Sequence, residues 1–154
     1  MGRIAGGEAF NVIPPHVDLE GTMRCFSDAV YEELPGWLDE VVSRTAEAYG
    51  CQADVEVERL MRATVNDVEM AGLVRDVAAE VVGPENVVEM RTLGSEDFSE
   101  ILHRVPGCYF FVGSRNEARG FVHPHHSPRF DVDEAVLPIG VEMLAGVARR
   151  FLDG

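Results

Sequence analysis

The sequence predicts an α+β unit followed by an α/β unit. Three observations carry this reading. Apolar and polar residues alternate at period two over residues 17–25 and 54–58, the signature of half-buried strands. Apolar residues recur at helical spacing over 34–49, 70–81 and 136–151. Between the two patterns, residues 62–66 mark a boundary, so that residues 1–63 and 64–154 read as separate parts.

Gly2 to Ile13 reads as a strand interrupted at Gly6-Gly7 and ended by Pro14-Pro15. Val17, Leu19, Gly21, Met23 and Cys25 then share one face of a second strand, paired with the first as a hairpin. A helix follows, with Leu34, Trp37, Leu38, Val41, Val42, Thr45, Ala48 and Tyr49 on its apolar face. Pro35 is expected in its first turn, and Gly50 stops it. Val55 and Val57, alternating with Asp54, Glu56 and Glu58, give a third strand. The first part is thus a split β-β-α-β sandwich, short of one further helix that should cover its sheet.

In the second part, Asn66 with Glu69 resembles a capping box. Met70, Leu73, Val74, Val77, Ala78 and Val81 form the apolar face of the next helix, ended by Gly83-Pro84. Val87 to Met90 reads as a short strand. Gly94-Ser-Glu-Asp-Phe-Ser99 is a polar loop entering a short helix. Cys108 to Val112 is wholly apolar, as a buried central strand would be. Val136, Gly140, Met143, Leu144, Val147 and Phe151 mark a terminal helix. The order α-β-α-β-loop-α predicts helices around a mostly parallel sheet.

The chain has 154 residues, 46% of them hydrophobic, enough for a packed core. Its formal net charge is −14, from 27 acidic and 13 basic residues. Phosphate backbones and anionic membranes repel such a chain, so neither nucleic acid nor a membrane is an expected partner. Cys25, Cys51 and Cys108 are widely spaced with no C-x-x-C pair. They read as reduced thiols in a cytoplasmic protein.

Three of the five histidines, His123, His125 and His126, lie in one Pro-bracketed loop. Neutral imidazole is the commonest protein metal ligand. In an extended segment His123 and His125 would share one face while His126 points away. A solvated loop and a one-metal site therefore both stand. Glu96 and Asp97 sit on the polar loop, where ligation and helix capping by Ser95 or Asp97 compete. Arg24 is suited either to a surface ion pair or to a substrate carboxylate. Asn11 beside Val-Ile-Pro-Pro could simply shape a turn. No G-x-S-x-G, P-loop or G-x-G-x-x-G pattern is present.

Six motifs occur in order: Gly6-Gly-Glu-Ala-Phe-Asn-Val-Ile-Pro14, Leu19-Glu-Gly-Thr-Met-Arg24, Thr64-Val-Asn-Asp67, Ser95-Glu-Asp-Phe-Ser99, Pro106-Gly107 and His125-His-Ser-Pro-Arg-Phe-Asp131. Together they resemble the metal-dependent amidohydrolase and peptidase family of hippurate hydrolase, the auxin-conjugate amidohydrolases, aminoacylases and carboxypeptidases, over essentially the whole chain. The resemblance implies that residues 1–63 are the latter part of an inserted lid, or dimerisation, domain. Residues 64–154 would be the C-terminal segment of a zinc-peptidase-like α/β catalytic domain. In that family two divalent ions (zinc, manganese or cobalt) activate a water for attack on an amide carbon. The resemblance makes His126 a metal ligand. It gives Asn11 and Arg24 the substrate carboxylate, and Glu96, Asp97, His125 and Asp131 a supporting place around the site; for Asp131, capping of the next helix is the alternative.

The family's opening catalytic segment, with His-x-Cys-Gly-His-Asp and a Glu-Glu pair, has no counterpart in these residues. A catalytic zinc needs about three protein ligands, and one is matched. The expectation is the C-terminal part of an amidohydrolase of N-acyl amino acids or peptide conjugates, inactive alone and homo-oligomeric through the lid. The alternatives are a non-catalytic interaction module, a subunit complementing a separate N-terminal half, and a one-metal binder using the three loop histidines.

Overall fold

The computed structural model describes residues 1–153. It consists of two compact units, Met1–Ala63 and Thr64–Gly154. No helix among the described residues is long and apolar enough to cross a membrane.

The first unit opens with the hairpin the alternation predicts. Strands β1 (Arg3–Ala5) and β2 (Asp18–Glu20) pair antiparallel, with Arg3 opposite Glu20 and Ala5 opposite Asp18. Arg3 and Glu20 also meet as an ion pair at 2.5 Å. Both strands are shorter than expected. The first does not run on to Ile13, because the chain turns: the Val12 N–H donates to the Ala9 carbonyl at 3.3 Å, and Pro14 and Pro15 have no N–H to give a ladder. With so little partner backbone, the second cannot extend over residues 17–25.

Helix α1 (Asp28–Ala48) starts earlier than Leu34, the first position of the expected apolar face. Tyr31 N–H donates to the Ser27 carbonyl at 2.9 Å, and half-buried Val30 and Tyr31 carry the apolar stripe toward the N-terminus. Pro35 therefore lies inside the helix, not in its first turn. It leaves the Tyr31 carbonyl without its intrahelical donor, at a cost of about 3 kcal/mol. The C-terminus closes as a Schellman motif. Gly50 N–H bonds Glu47 and Cys51 N–H bonds Ala46, both at 2.9 Å. Gly50 has a φ of 69°, a conformation that glycine adopts without steric penalty. Leu34, Leu38 and Val42 are half-buried, whereas Trp37, Val41 and Tyr49 stay exposed. The expected third strand over 54–58 keeps its alternation, with Val55 and Val57 half-buried between exposed neighbours, but forms no ladder. The β-β-α-β sandwich is thus observed as β-β-α. Arg59 anchors the following segment: it pairs with Glu32 and lies over the Tyr31 ring at 5.4 Å.

The second unit is built on two helices, α2 (Val68–Val82) and α4 (Val136–Asp153). Val74, Val77 and Met143 are the buried apolar residues among those described, flanked by Leu73, Ala78, Val81, Ile139 and Val147. These positions recur every three or four residues on both helices, so each presents a stripe to the other. Gly146 permits the close approach, since a Cβ there would stand 2.8 Å from Val77 Cγ1. The cap of α2 is Asp67, not Asn66 with Glu69: Asp67 Oδ1 accepts from Met70 N–H at 2.9 Å.

Asn66 is used elsewhere. Its side-chain amide donates to the Tyr109 carbonyl at 2.9 Å and accepts from the Tyr109 N–H at 2.8 Å. One amide reaches both groups of a residue when they point the same way, as in an extended strand. Cys108 and Phe110 join the α2–α4 core, while the Tyr109 and Phe111 rings meet on the other side, 5.1 Å apart. Residues 108–112 are therefore extended with period-two faces, but carry no ladder. They are not fully buried as expected; Phe111 is 54% exposed. The short strand expected over 87–90 is likewise unpaired, with Val88 and Met90 exposed. Both runs have strand character in sequence, but neither meets another strand within the described residues. The predicted parallel sheet is accordingly absent from them.

The chain exposes 12438 Å², about a third more than the roughly 9,200 Å² expected for two separate compact monomers of these lengths.

Replacing Gly146 by Ala should lower the thermal midpoint of the second unit. The helix-propensity gain of about 1 kcal/mol is outweighed by overpacking of about 1–3 kcal/mol against Val77. A denaturation series with Gly146→Ala and Gly140→Ala checks this, because no atom crowds a Cβ at Gly140.

Candidate functional site

The histidine loop is held at its base by Asp133. That carboxylate accepts from Asn116 Nδ2 at 2.5 Å, Arg119 at 2.7 Å and Ala135 N–H at 3.1 Å. These partners, Asn116 first, hold the Asp133 carboxyl below the usual range. A backbone bridge between Asn116 and Phe121 closes the preceding turn. Asp133 thereby ties the loop just before α4 begins at Val136. Asp131 accepts from its neighbour Val132 N–H at 2.8 Å.

Within the loop, His126 has a φ of 67°, the only non-glycine residue among those described with a left-handed backbone. Such a conformation costs about 1–2 kcal/mol for an L-residue. Pro124 and Pro128 flank it and limit relaxation. His126 is exposed; His125, also exposed, packs edge-to-face on Phe130 with ring centroids 4.7 Å apart, and His123 is half-buried. Among the described residues no three His, Cys, Asp or Glu side chains converge on a point that could hold a metal ion. His123, His125 and His126 are not gathered into such a group. The residues present do not by themselves fit a metal centre.

Glu96 and Asp97 precede α3 (Ser99–Leu102). Tyr109 Oη donates to Glu96 Oε2 at 2.7 Å, and the Phe98 ring lies 5.8 Å from that of Tyr109. The Tyr109 phenol, and after it Asp97, hold the Glu96 carboxyl below the usual carboxylate range, while Glu96 pushes the phenol up. The α3 N-terminus has no side-chain cap, so neither Ser95 nor Asp97 serves there. Sequence reasoning missed Tyr109, Asn66 and Asp133. The one signal available was a residue with a polar handle inside an apolar run, Tyr109 among Cys, Phe and Val.

Asn11 and Arg24 belong to the first unit and are exposed. Asn11 sits in the turn closed by Ala9 and Val12. Among the surface hollows of the second unit, one of about 480 Å³ lies beside Glu80 and Arg150, and one of about 380 Å³ beside Asn66 and His103. His125, His126, Glu96, Asp97 and Asp131 line neither. The two groups have different partners: His125 rests on Phe130, whereas Glu96 is held by Tyr109.

Tyr109→Phe should raise the Glu96 pKa toward the ordinary value. The sign follows from the depressed folded value: the stabilisation is present above the unfolded carboxylate pKa and is lost as pH falls through the folded one. The stability gap between wild type and variant should therefore narrow in acid, as NMR carboxyl titration and urea melts would record. His126→Gly should leave the chain as stable or up to about 1 kcal/mol more stable, whereas His126→Ala, which keeps a Cβ, should bring no gain in the same melts.

The family description Peptidase family M20/M25/M40 matches residues 5–150. The chain is 39% identical to an IAA-amino acid hydrolase ILR1-like 4 of Arabidopsis thaliana, over 99% of this chain and 36% of that protein. It is 35% identical to thermostable carboxypeptidase 1 of Saccharolobus solfataricus, over 96% and 37%. It is 31% identical to an N-acetyl-L-cysteine deacetylase of Bacillus subtilis, over 99% and 35%. A crystal structure from Bacillus subtilis, described as a dinuclear metal binding peptidase from the M20 family, superposes with a TM-score of 0.79 at 26% identity. That match covers 98% of this chain and 40% of the other. The chain thus spans 35–40% of the length of these relatives. Sequence and fold agree along almost all of its residues, and the chain belongs to Peptidase family M20/M25/M40.

Proposed function

We propose that the chain is the C-terminal part of a metal-dependent amidohydrolase acting on N-acyl amino acids or peptide conjugates. The observation that carries this is the match over 98% of the chain to the fold of a dinuclear metal peptidase. The relatives' names supply the substrate class. An IAA–amino acid conjugate, a peptide cut by a carboxypeptidase and N-acetyl-L-cysteine share one chemical element: an acylated amino-acid nitrogen beside a free carboxylate. Arg24 is suited to that carboxylate, because a guanidinium offers a planar fork of donors, and Asn11 would add an amide donor.

In this reading residues 1–63 are the latter part of a lid or dimerisation domain, and residues 64–154 the closing segment of the catalytic domain. His126 supplies one ligand to a divalent metal (zinc, manganese or cobalt). Glu96, Asp97, His125 and Asp131 border the site. The lid supports a homo-oligomer, for which the exposed Trp37 and Val41 of α1, with Tyr49 just after it, provide apolar surface.

By itself the chain is catalytically silent. A catalytic zinc needs about three protein ligands, and the described residues bring no three together. Purified 154-residue protein, given zinc, manganese or cobalt, should release no amino acid from hippurate or N-acetyl-cysteine above the no-enzyme control. Turnover that is lost on chelation would refute this silence.

A further inference from the structure

Residues 6–17 form a loop whose arms lie side by side and whose tip carries an unburied aromatic ring. The β1–β2 pairing closes its base, with Ala5 opposite Asp18. Just beyond, a Cβ on Gly6 would stand 2.9 Å from Val17 Cγ2 and 3.0 Å from the His16 carbonyl oxygen. The arms approach that closely because position 6 has no side chain. Gly7, with a φ of 81°, turns the chain beside Pro14, whose Cβ a Gly7 Cβ would meet at 3.7 Å. The tip is the turn in which Val12 N–H donates to the Ala9 carbonyl, so its two corner residues are Phe10 and Asn11. Asparagine suits a turn corner, through its short polar side chain, whereas phenylalanine contributes nothing to one. Nor does Phe10 pack, since it is 103% exposed. A ring that serves neither turn nor core, on a tip with a closed base, is placed to meet an apolar group from outside the chain.

In the functional reading above, on which this rests, Asn11 takes the substrate carboxylate. The carbon that bears this carboxylate in an N-acyl amino acid also bears the amino-acid side chain, and the acyl group lies beyond the nitrogen. Phe10 is the chain neighbour of Asn11, with Cα atoms about 3.8 Å apart. Its ring therefore meets the amino-acid side chain before it meets the acyl group. We propose that Phe10 is a specificity-determining residue that packs on the side chain of the substrate's amino acid. The preferred substrates are then N-acyl derivatives of aromatic and large aliphatic amino acids. Acidic amino acids are disfavoured twice, by the ring and by the chain's net charge of −14. Phe10 makes no demand on the acyl group.

Ligand titration of the 154-residue chain, read from the NMR shifts of residues 8–13, tests this with N-acetyl-phenylalanine, N-acetylglycine and hippurate. Hippurate carries its ring on the acyl side, so it separates the two ends of the substrate. N-acetyl-phenylalanine should bind roughly 10-fold more tightly than either of the others. Phe10→Ala should remove that preference and Phe10→Leu should keep part of it; both variants should fold, because Phe10 is fully exposed. Asn11→Ala should weaken all three ligands alike. Three results would each overturn the proposal: hippurate binding as tightly as N-acetyl-phenylalanine, a preference unchanged in Phe10→Ala, or no shift at Phe10 with any ligand. An unchanged preference together with an altered oligomeric state would make the tip a contact between copies instead. Binding that depends on Asn11 but not on Phe10 would end the proposal and leave the functional reading standing. A Phe10-dependent preference with affinity intact in Asn11→Ala would uphold the Phe10 contact and end the assignment of the carboxylate to Asn11.

Discussion

The crossing of α2 and α4 is the contact on which the rest of the second unit depends. Val74, Val77 and Met143 are its buried apolar side chains, and the helices approach closely there because Gly146 offers no Cβ to Val77. Everything nearer the candidate site is referenced to that crossing. Cys108 and Phe110 insert into its edge and fix the extended segment. Asn66, just before the α2 cap, fixes the same segment through Tyr109 backbone. Tyr109 then points away from the core and carries Glu96 on its phenol. Glu96 is thus linked to the crossing through Tyr109 and the segment that carries it.

A second chain of constraint begins at the N-terminus of α4. Asp133 joins Asn116, Arg119 and Ala135, so the residues before and after the histidine loop are tied at one carboxylate. Between the ties, the prolines leave the backbone few alternatives, and His126 adopts a left-handed φ. Strained residues persist where the surroundings over-determine them, and they cluster at functional positions. His126 is also the histidine that the family resemblance selects.

Periodicity revealed the helices and the hairpin, because amphipathic stripes and alternating strands are local patterns. The Gly50 stop was legible for the same reason. What failed depended on partners. The runs at 54–58, 87–90 and 108–112 read as strands, but a strand exists only as half of a pair, and sequence carries no record of whether the other half is present. Pro35 misled through its preference for first turns, a preference that tertiary burial of Val30 and Tyr31 overrode. Asn66 resembled a cap, yet its amide satisfies a backbone more than forty residues away, a contact no local spacing encodes. Asp133 displaced Asp131 as the tie at α4 for a similar reason: two acids of equal local promise were separated by Asn116 and Arg119, remote in sequence.

Magnitudes also bear on how the exposed apolar surface can be covered. Fully burying Val88, Met90, Leu93 or Phe111 would contribute about 1.5–3 kcal/mol each. Rigid-body association alone costs about 4–15 kcal/mol, so these four side chains roughly offset it and leave little surplus. Strand pairing must then decide the outcome, less through its energy than through its register. Each ladder bond contributes only about 1 kcal/mol net, but a slip of one residue would turn Tyr109 and Phe111 toward the helices and expel Cys108 and Phe110 from the core. The Asn66 clamp on Tyr109 forbids that slip. A pre-registered edge lowers the ordering cost of association, and that is the physical advantage of spending an asparagine on the backbone of Tyr109 instead of on the cap of α2.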